Sequence, residues 1–218
     1  MTGRRRCAGL AAAVALLAAA APGGAQVTPV FTAPLVQPAF PAPPPPVDLS
    51  PQQLVRWFED ACVRSGAQPG PAVDWALANG FEPVDPMRGD AGSLLEGEPG
   101  SVLAAPGAGG RVLLAAADSR CSLWAEHEEG PPLRQALAAM VGTLTAKGAR
   151  AEVEVERSLD KAGAWRGQVQ WRYRAVGAAE DLGVGAVTTL ANGPGTQVLT
   201  VSRLAARMRY APDGQQAR

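Results

Sequence analysis

The sequence is poor in several residue types from which functional sites are built. Its 218 residues include one histidine and only two lysines, and 5% of the residues are aromatic. A single histidine excludes a multi-histidine zinc site. Basic and acidic residues balance at 20 each, so the chain lacks the basic excess of a nucleic-acid-binding protein. It also lacks the repeated long apolar runs of a polytopic membrane protein.

The N-terminal 25 residues have the order of a secretory signal peptide. Three arginines at positions 4–6 precede an apolar run over residues 8–21, and Pro22-Gly23-Gly24-Ala25 follows. This run is shorter than the roughly 20 residues that cross a bilayer. We therefore predict a signal peptide over residues 1–25, a periplasmic or secreted protein, and no membrane span once the signal is removed. An uncleaved anchor is the alternative.

Composition divides the remainder of the chain. Residues 26–47 are rich in proline and end in four consecutive prolines, which is typical of a semi-rigid linker in the polyproline II conformation. Residues 48–205 have the length of a single domain. The polar residues 206–218 are predicted to form a flexible tail.

Three segments have the pattern of helices. Ser50 and Gln53 form a capping box around Pro51, and the helix that follows is predicted to end near Gly66. A second helix is predicted over 71–79 and a third from Pro131 to Gly148. The apolar positions assigned to the three helices are, in order, Leu54, Trp57, Phe58, Ala61 and Cys62; Val73, Ala76 and Leu77; and Leu133, Leu137, Met140, Val141 and Leu144.

Other segments have the pattern of strands, separated by an irregular loop over 82–100. Short apolar runs at 101–105, 111–117 and 121–125 predict three strands, and four more are predicted in the C-terminal half. There, residues 152–156 alternate with period two, as do residues 168–174. A five-residue turn from Asp160 to Ala164 pairs Val155 with Val169, Val153 with Trp171, and Glu152 with Arg172.

The order of elements predicts an α+β fold with a mainly antiparallel sheet and about three helices packed on one side. Cys62 and Cys121 are the two cysteines left after removal of the signal. An even pair in an oxidising compartment predicts a disulfide. The alternative, a cysteine nucleophile with His127 as its base, is disfavoured because Cys62 lies near the C-terminal end of its helix, where the dipole opposes a thiolate.

No set of residues in the sequence predicts catalysis, a metal site or a bound cofactor. Glu126-His127-Glu128-Glu129 is the one polar cluster around a histidine, and it offers too few ligands for zinc. The acids of the long loop, Asp85, Asp90, Glu96 and Glu98, are a candidate carboxylate set for glycosidic chemistry, with solvation of the loop as the alternative. Neither glycine-rich segment has the spacing of a nucleotide-binding loop.

Aromatic side chains and the histidine supply the candidates for ligand contact. Four tryptophans are assigned mainly to the core: Trp57, Trp124, Trp165 and Trp171. Of these, Trp165 lies at a turn edge and is the one expected to be exposed. Trp75 falls off the apolar stripe of its helix. We therefore name Trp165, Trp75 and His127 as possible ligand contacts.

Several features together resemble small, exported and largely uncharacterised proteins of Gram-negative bacteria. They are the alanine-rich signal, Trp57-Phe58 before Cys62-Val63, Ala76-Leu77 before Gly80-Phe81, the strand with Cys121 and the β-rich C-terminal half. The resemblance implies a location in the cell envelope and no known activity. We expect a non-catalytic domain with a binding or envelope-accessory role, whose partner is an envelope protein or a glycan. The alternatives are a hydrolase of envelope polymers that uses carboxylates, and a lipid carrier.

Overall fold

The computed structural model describes residues 49–85, 87, 91–109, 111–161 and 164–205. The predicted signal peptide, linker and C-terminal tail lie outside these residues, as does Asp90. Three α-helices occur in this part of the chain: α1 (Pro51–Phe58), α2 (Pro69–Ala78) and α3 (Gly130–Ala146). Its strands are β1 (Glu82–Val84), β2 (Gly100–Ala104), β3 (Val112–Ala117), β4 (Arg120–Glu129), β5 (Arg150–Lys161), β6 (Ala164–Arg174), β7 (Leu182–Thr189) and β8 (Pro194–Arg203).

The eight strands of the described chain form one antiparallel sheet in the order β1-β2-β3-β4-β8-β7-β6-β5. Consecutive strands pair, except that α3 carries the chain from β4 in the middle of the sheet to β5 at its edge. The chain then returns strand by strand until β8 pairs with β4. The predicted α+β fold with a mainly antiparallel sheet and helices on one side is confirmed.

Helix α1 begins where its capping residues predict. Ser50 Oγ accepts a hydrogen bond from the Gln53 amide at 3.2 Å, which satisfies one of the donors that a helix start leaves free. The reciprocal half of the capping box is absent, because Gln53 Oε1 accepts from Arg56 instead. The helix continues as a π-helical turn over Glu59–Val63, and the left-handed Gly66 (φ 64°) follows it.

The principal core lies between the helices and one face of the sheet. Leu54 and Phe58 of α1, Leu137 of α3, Leu123 of β4 and Leu199 of β8 are essentially inaccessible to solvent. The assignment of Leu77 to this core is wrong, since its side chain is 48% exposed. The core-facing side of α2 is formed mainly by Ala72 and Ala76, which are fully buried, so the helix approaches the sheet through small side chains.

The predicted irregular loop over 82–100 contains regular structure. Its first residues form β1, and residues Ala91–Leu95 form a 3₁₀ turn. Ala91 and Leu95 pack on Val102, Ala115 and Ala117 in a second, smaller cluster. Because these sheet residues alternate with the ones that face the helices, the 3₁₀ turn covers the opposite face of β2 and β3.

The β5–β6 hairpin follows its predicted register only at one end. Glu152 pairs with Arg172 and Val153 with Trp171, as predicted, but Val155 lies opposite Gln170 instead of Val169. A bulge between Val153 and Val155 inserts one residue into β5 and shifts the rest of the register. The strands also extend to Lys161 and Ala164, so the predicted five-residue turn is wrong.

Candidate functional site

Cys62 and Cys121 form the predicted disulfide, which joins the helical layer to the sheet. Cys62 lies in the π-helical turn after α1 and Cys121 in β4, with their Cα atoms 5.3 Å apart. Both residues are fully buried. Because each sulfur is bonded to the other, neither is a thiolate, and the pair acts as a structural bridge between segments 59 residues apart.

His127 lies exposed at an irregularity near the C-terminal end of β4. The pairing of β4 with β8 shifts between Ala125 and Glu128, and His127 adopts a left-handed backbone conformation with φ 62°. Gln197, which is fully buried, holds the next residue by donating from Nε2 to the Glu128 carbonyl at 2.6 Å. Among the described residues no group of three or more histidine, cysteine, aspartate or glutamate residues is placed to bind a metal ion.

The two tryptophans named as possible ligand contacts have different surroundings. Trp165, near the tip of the β5–β6 hairpin, is 63% exposed. Trp75 is half-buried, and its ring centroid lies 5.8 Å from that of Phe81, which also contacts Trp57 at 5.2 Å. Trp165 and His127 lie at the same end of the sheet but three strands apart, and Trp75 lies on α2. The structure therefore does not bring the three candidates together.

Two of the loop acids, Glu96 and Glu98, connect neighbouring segments. Glu96 forms an ion pair with Arg120 at 2.5 Å. Glu98 accepts hydrogen bonds from the Ser119 hydroxyl at 2.8 Å and from the Ser119 amide at 3.0 Å. The hydroxyl bond is the main reason that the pKa of Glu98 is lowered, and the amide bond adds to it. These contacts hold the 3₁₀ segment against the β3–β4 turn, so Glu96 and Glu98 have a structural role.

A polar groove that the sequence did not predict lies at the opposite end of the sheet from His127. Its volume is about 880 Å³. It is formed where the N-terminal end of β5, the C-terminal ends of β6 and β8, and the residues before β7 come together. Its charged lining consists of four arginines and three acids: Arg150, Arg172, Arg174, Arg203, Glu152, Glu180 and Asp181.

Asp181 organises the arginines on one side of this groove. Its carboxylate accepts from Arg172 Nη1 at 3.1 Å and from Arg174 Nε at 2.5 Å. Arg172 also donates to Glu154 at 2.8 Å. The bond from Arg174 is the largest cause of the lowered pKa of Asp181, and the bond from Arg172 contributes as well. Asp181 is therefore an anionic acceptor here, which is the opposite of the raised pKa that a general acid requires.

One part of the groove was visible in the sequence. The alternation of β5 and β6 predicts that Glu152 and Arg172 share a face, and the register confirms it. Asp181 and Arg203 enter the groove from other strand ends, and no local pattern indicates their position. The Arg-x-Arg spacing of Arg172 and Arg174 is a second signal that a charged surface forms here.

No helix of the described residues is long and apolar enough to cross a membrane. The candidate residues occupy three separate places: the disulfide lies inside the core, the exposed His127 and Trp165 lie at one end of the sheet, and the arginine-rich groove lies at the other. Comparison of the chain with protein-family models, curated proteins and solved structures finds no match.

Proposed function

We propose that this protein is an exported, non-catalytic domain that binds a component of the cell envelope through its polar groove. The observation that carries this proposal is the pairing of Asp181 with two arginines of the groove. The Asp181 carboxylate accepts hydrogen bonds from two arginines and its pKa is lowered. It therefore stays ionised, and the groove presents charged side chains to a ligand. A ligand bound there would meet guanidinium donors and apolar patches from Ala179 and Leu204.

Export is supported by two independent features. The order of charged, apolar and small residues over 1–25 is that of a cleavable signal. The buried Cys62–Cys121 disulfide is the kind of bond that persists in oxidising compartments.

The alternative, an envelope-polymer hydrolase, requires a proton-donating carboxyl close to a second carboxylate. The pKa values of Asp181 and Glu98 are both lowered, which favours the ionised form of each. His127 lies at the far end of the sheet from the groove. A lipid carrier requires a large apolar cavity, whereas this groove is lined largely by charged side chains.

The proposal is tested by incubating the protein, purified from the compartment to which its cell sends it, with envelope fractions of that cell. We expect co-sedimentation with an envelope fraction and no release of soluble sugar or peptide. His127→Ala should behave as the parent does. Release of fragments that Asp181→Asn or His127→Ala abolishes would establish the hydrolase instead.

Export is tested on the same material by mass spectrometry. We expect an N-terminus at Gln26 and a mass two hydrogens below that of the reduced chain. Intact precursor with titratable thiols in the cytosol would contradict the proposal.

A further inference from the structure

Two arginines that line the groove lie directly opposite each other on neighbouring strands. Arg150 of β5 pairs in register with Arg174 of β6. Residues in such positions have Cβ atoms about 5 Å apart, and like charges placed there repel. The same two side chains also border a smaller depression of about 340 Å³. Arg150 and Arg174 therefore lie next to each other, between the groove and this depression.

The hydrogen-bonding capacity of this pair is largely unused. A guanidinium carries five N–H donors. Arg174 donates one of them, from Nε to Asp181. The side chain of Arg150 forms no ion pair or hydrogen bond with any described residue. Most of the donors of the pair are therefore available to a ligand.

Arg172, two residues before Arg174, provides the contrast. It donates to Glu154 through Nε and Nη2 and to Asp181 through Nη1, and it is the least exposed of the three, with 15% of its side chain accessible. The two acids hold Arg172 in place. Asp181 also holds Arg174, but only through Nε, so this bond leaves the N–H groups of both Nη atoms of Arg174 unused.

We propose that Arg150 and Arg174 together bind the oxyanion head of a small organic ligand, a carboxylate or a phosphate. An oxyanion between two guanidiniums removes their repulsion and accepts bidentate, charge-assisted hydrogen bonds. This inference rests on the proposed function and specifies the chemistry of its ligand.

The acids at the groove limit which anions fit. Glu152 and Glu180 are exposed residues of the same lining. They would repel a second anionic group, so the ligand has a single anionic head and an otherwise neutral body. Ala179 and Leu204 supply apolar surface for that body. A polyanion such as a nucleic acid does not meet these requirements.

The test uses three probes with the folded protein: N-acetyl-alanyl-alanine, its neutral C-terminal amide, and glycerol 3-phosphate. Binding is followed by NMR through the Nε–Hε signals of the arginines, with the Arg150 signal identified by its loss in Arg150→Gln. We expect at least one anionic probe to shift the Arg150 and Arg174 signals saturably and the amide to leave them unchanged. The carboxylate and phosphate arms separate the two sources of the oxyanion.

Arg150→Gln should weaken binding of the effective probe about tenfold or more, since a hydrogen bond to a charged group is worth about 1.5–3 kcal/mol and 1.4 kcal/mol is tenfold. The matched control is Arg157→Gln, which changes the same charge on the same strand, beyond the bulge, where Arg157 bonds to Gln168. The affinity of Arg157→Gln for the effective probe should lie within about twofold of the parent's affinity. The inference is overturned if neither anion shifts the Arg150 signal, or if Arg157→Gln loses as much affinity.

Failure of this inference can be told apart from failure of the proposed function. If the parent and Arg150→Gln co-sediment equally with the envelope and no anionic probe binds, the inference fails while the envelope-binding function stands. If the anionic probes bind but the parent does not co-sediment with any envelope fraction, the groove chemistry stands and the proposed function fails.

Discussion

Strand β3 and strand β6 belong to the same sheet, yet five of the six residues of β3 are buried whereas β6 is buried only at some positions of its inner face. β3 lies between the helical layer and the 3₁₀ segment, so both of its faces are covered. β6 has helices on one side only. The difference shows that a continuous apolar strand such as Val-Leu-Leu-Ala-Ala-Ala indicates two covered faces, and an alternating strand indicates one.

The contacts that hold the sheet also differ between these two halves. The half that contains β2, β3 and β4 carries the disulfide and has buried apolar contacts on both faces. The half that contains β5 and β6 carries the groove and is held on its outer face by ion pairs. The two halves therefore differ in what covers the face of the sheet opposite the helices, which is apolar side chains in the first half and charged side chains in the second.

The largest expected effect is the loss of the disulfide in the first half. Replacing both Cys62 and Cys121 with alanine should lower the free energy of unfolding by about 4 kcal/mol, because the bridge restricts a loop of about 60 residues in the unfolded chain. Urea unfolding measures the change. Adding reductant to the parent should reproduce the loss, and adding it to the variant should have no effect. Equal stability of parent and variant would show that the bridge does not hold this half together.

A second prediction compares leucines from the two halves. Leu114 of β3 is fully buried. Leu114→Ala should therefore lower the free energy of unfolding by about 3 kcal/mol, within the range of about 2–5 kcal/mol for such truncations. Leu159 of β5 is only half-buried, so Leu159→Ala should cost about 1 kcal/mol or less. Both are measured by urea unfolding with unchanged denaturant dependence. Equal losses would contradict the division into covered and open strands.

The smallest effects concern one acid from each half. The pKa of Glu98 and that of Asp181 are lowered in the folded protein, so each carboxylate stabilises the fold above its unfolded pKa of about 4. This contribution is lost as the pH falls through the folded pKa. Glu98→Gln and Asp181→Asn should therefore be less stable than the parent at pH 7, and the difference should vanish at low pH.

Salt separates the two acids. The main donors to Glu98 are the hydroxyl and the amide of Ser119, whereas Asp181 is held by two arginines. Screening weakens exposed charge pairs more than hydrogen bonds from uncharged groups. The effect of Asp181→Asn at pH 7 should therefore shrink in 1 M salt more than that of Glu98→Gln. The reverse order would show that charge is not what distinguishes the two halves.

The errors of the sequence-based prediction have physical causes in particular residues. Leu77 has the hydrophobicity of a core residue, but Ala72 and Ala76 allow α2 to approach the sheet closely, and the helix is rotated so that Leu77 faces solvent. The bulge near Glu154 changes the register of β5 without changing its alternating composition. The short strand β1 contains Glu82 and Pro83, which are unusual in strands and are tolerated because β1 is an edge strand.

The sequence by itself determined the three helices and the long strands, because helix caps, apolar periodicity and glycine turns act over a few residues. The pairing of Cys62 with Cys121 could also be predicted, because cleavage of the proposed signal after Ala25 would leave only these two cysteines. Only the tertiary structure decided the order of the strands and the site at their ends. Arg150, Arg174 and Asp181 come together because α3 carries β5 to the sheet edge and the chain returns beside it. That path depends on packing across the whole sheet, which no local pattern encodes.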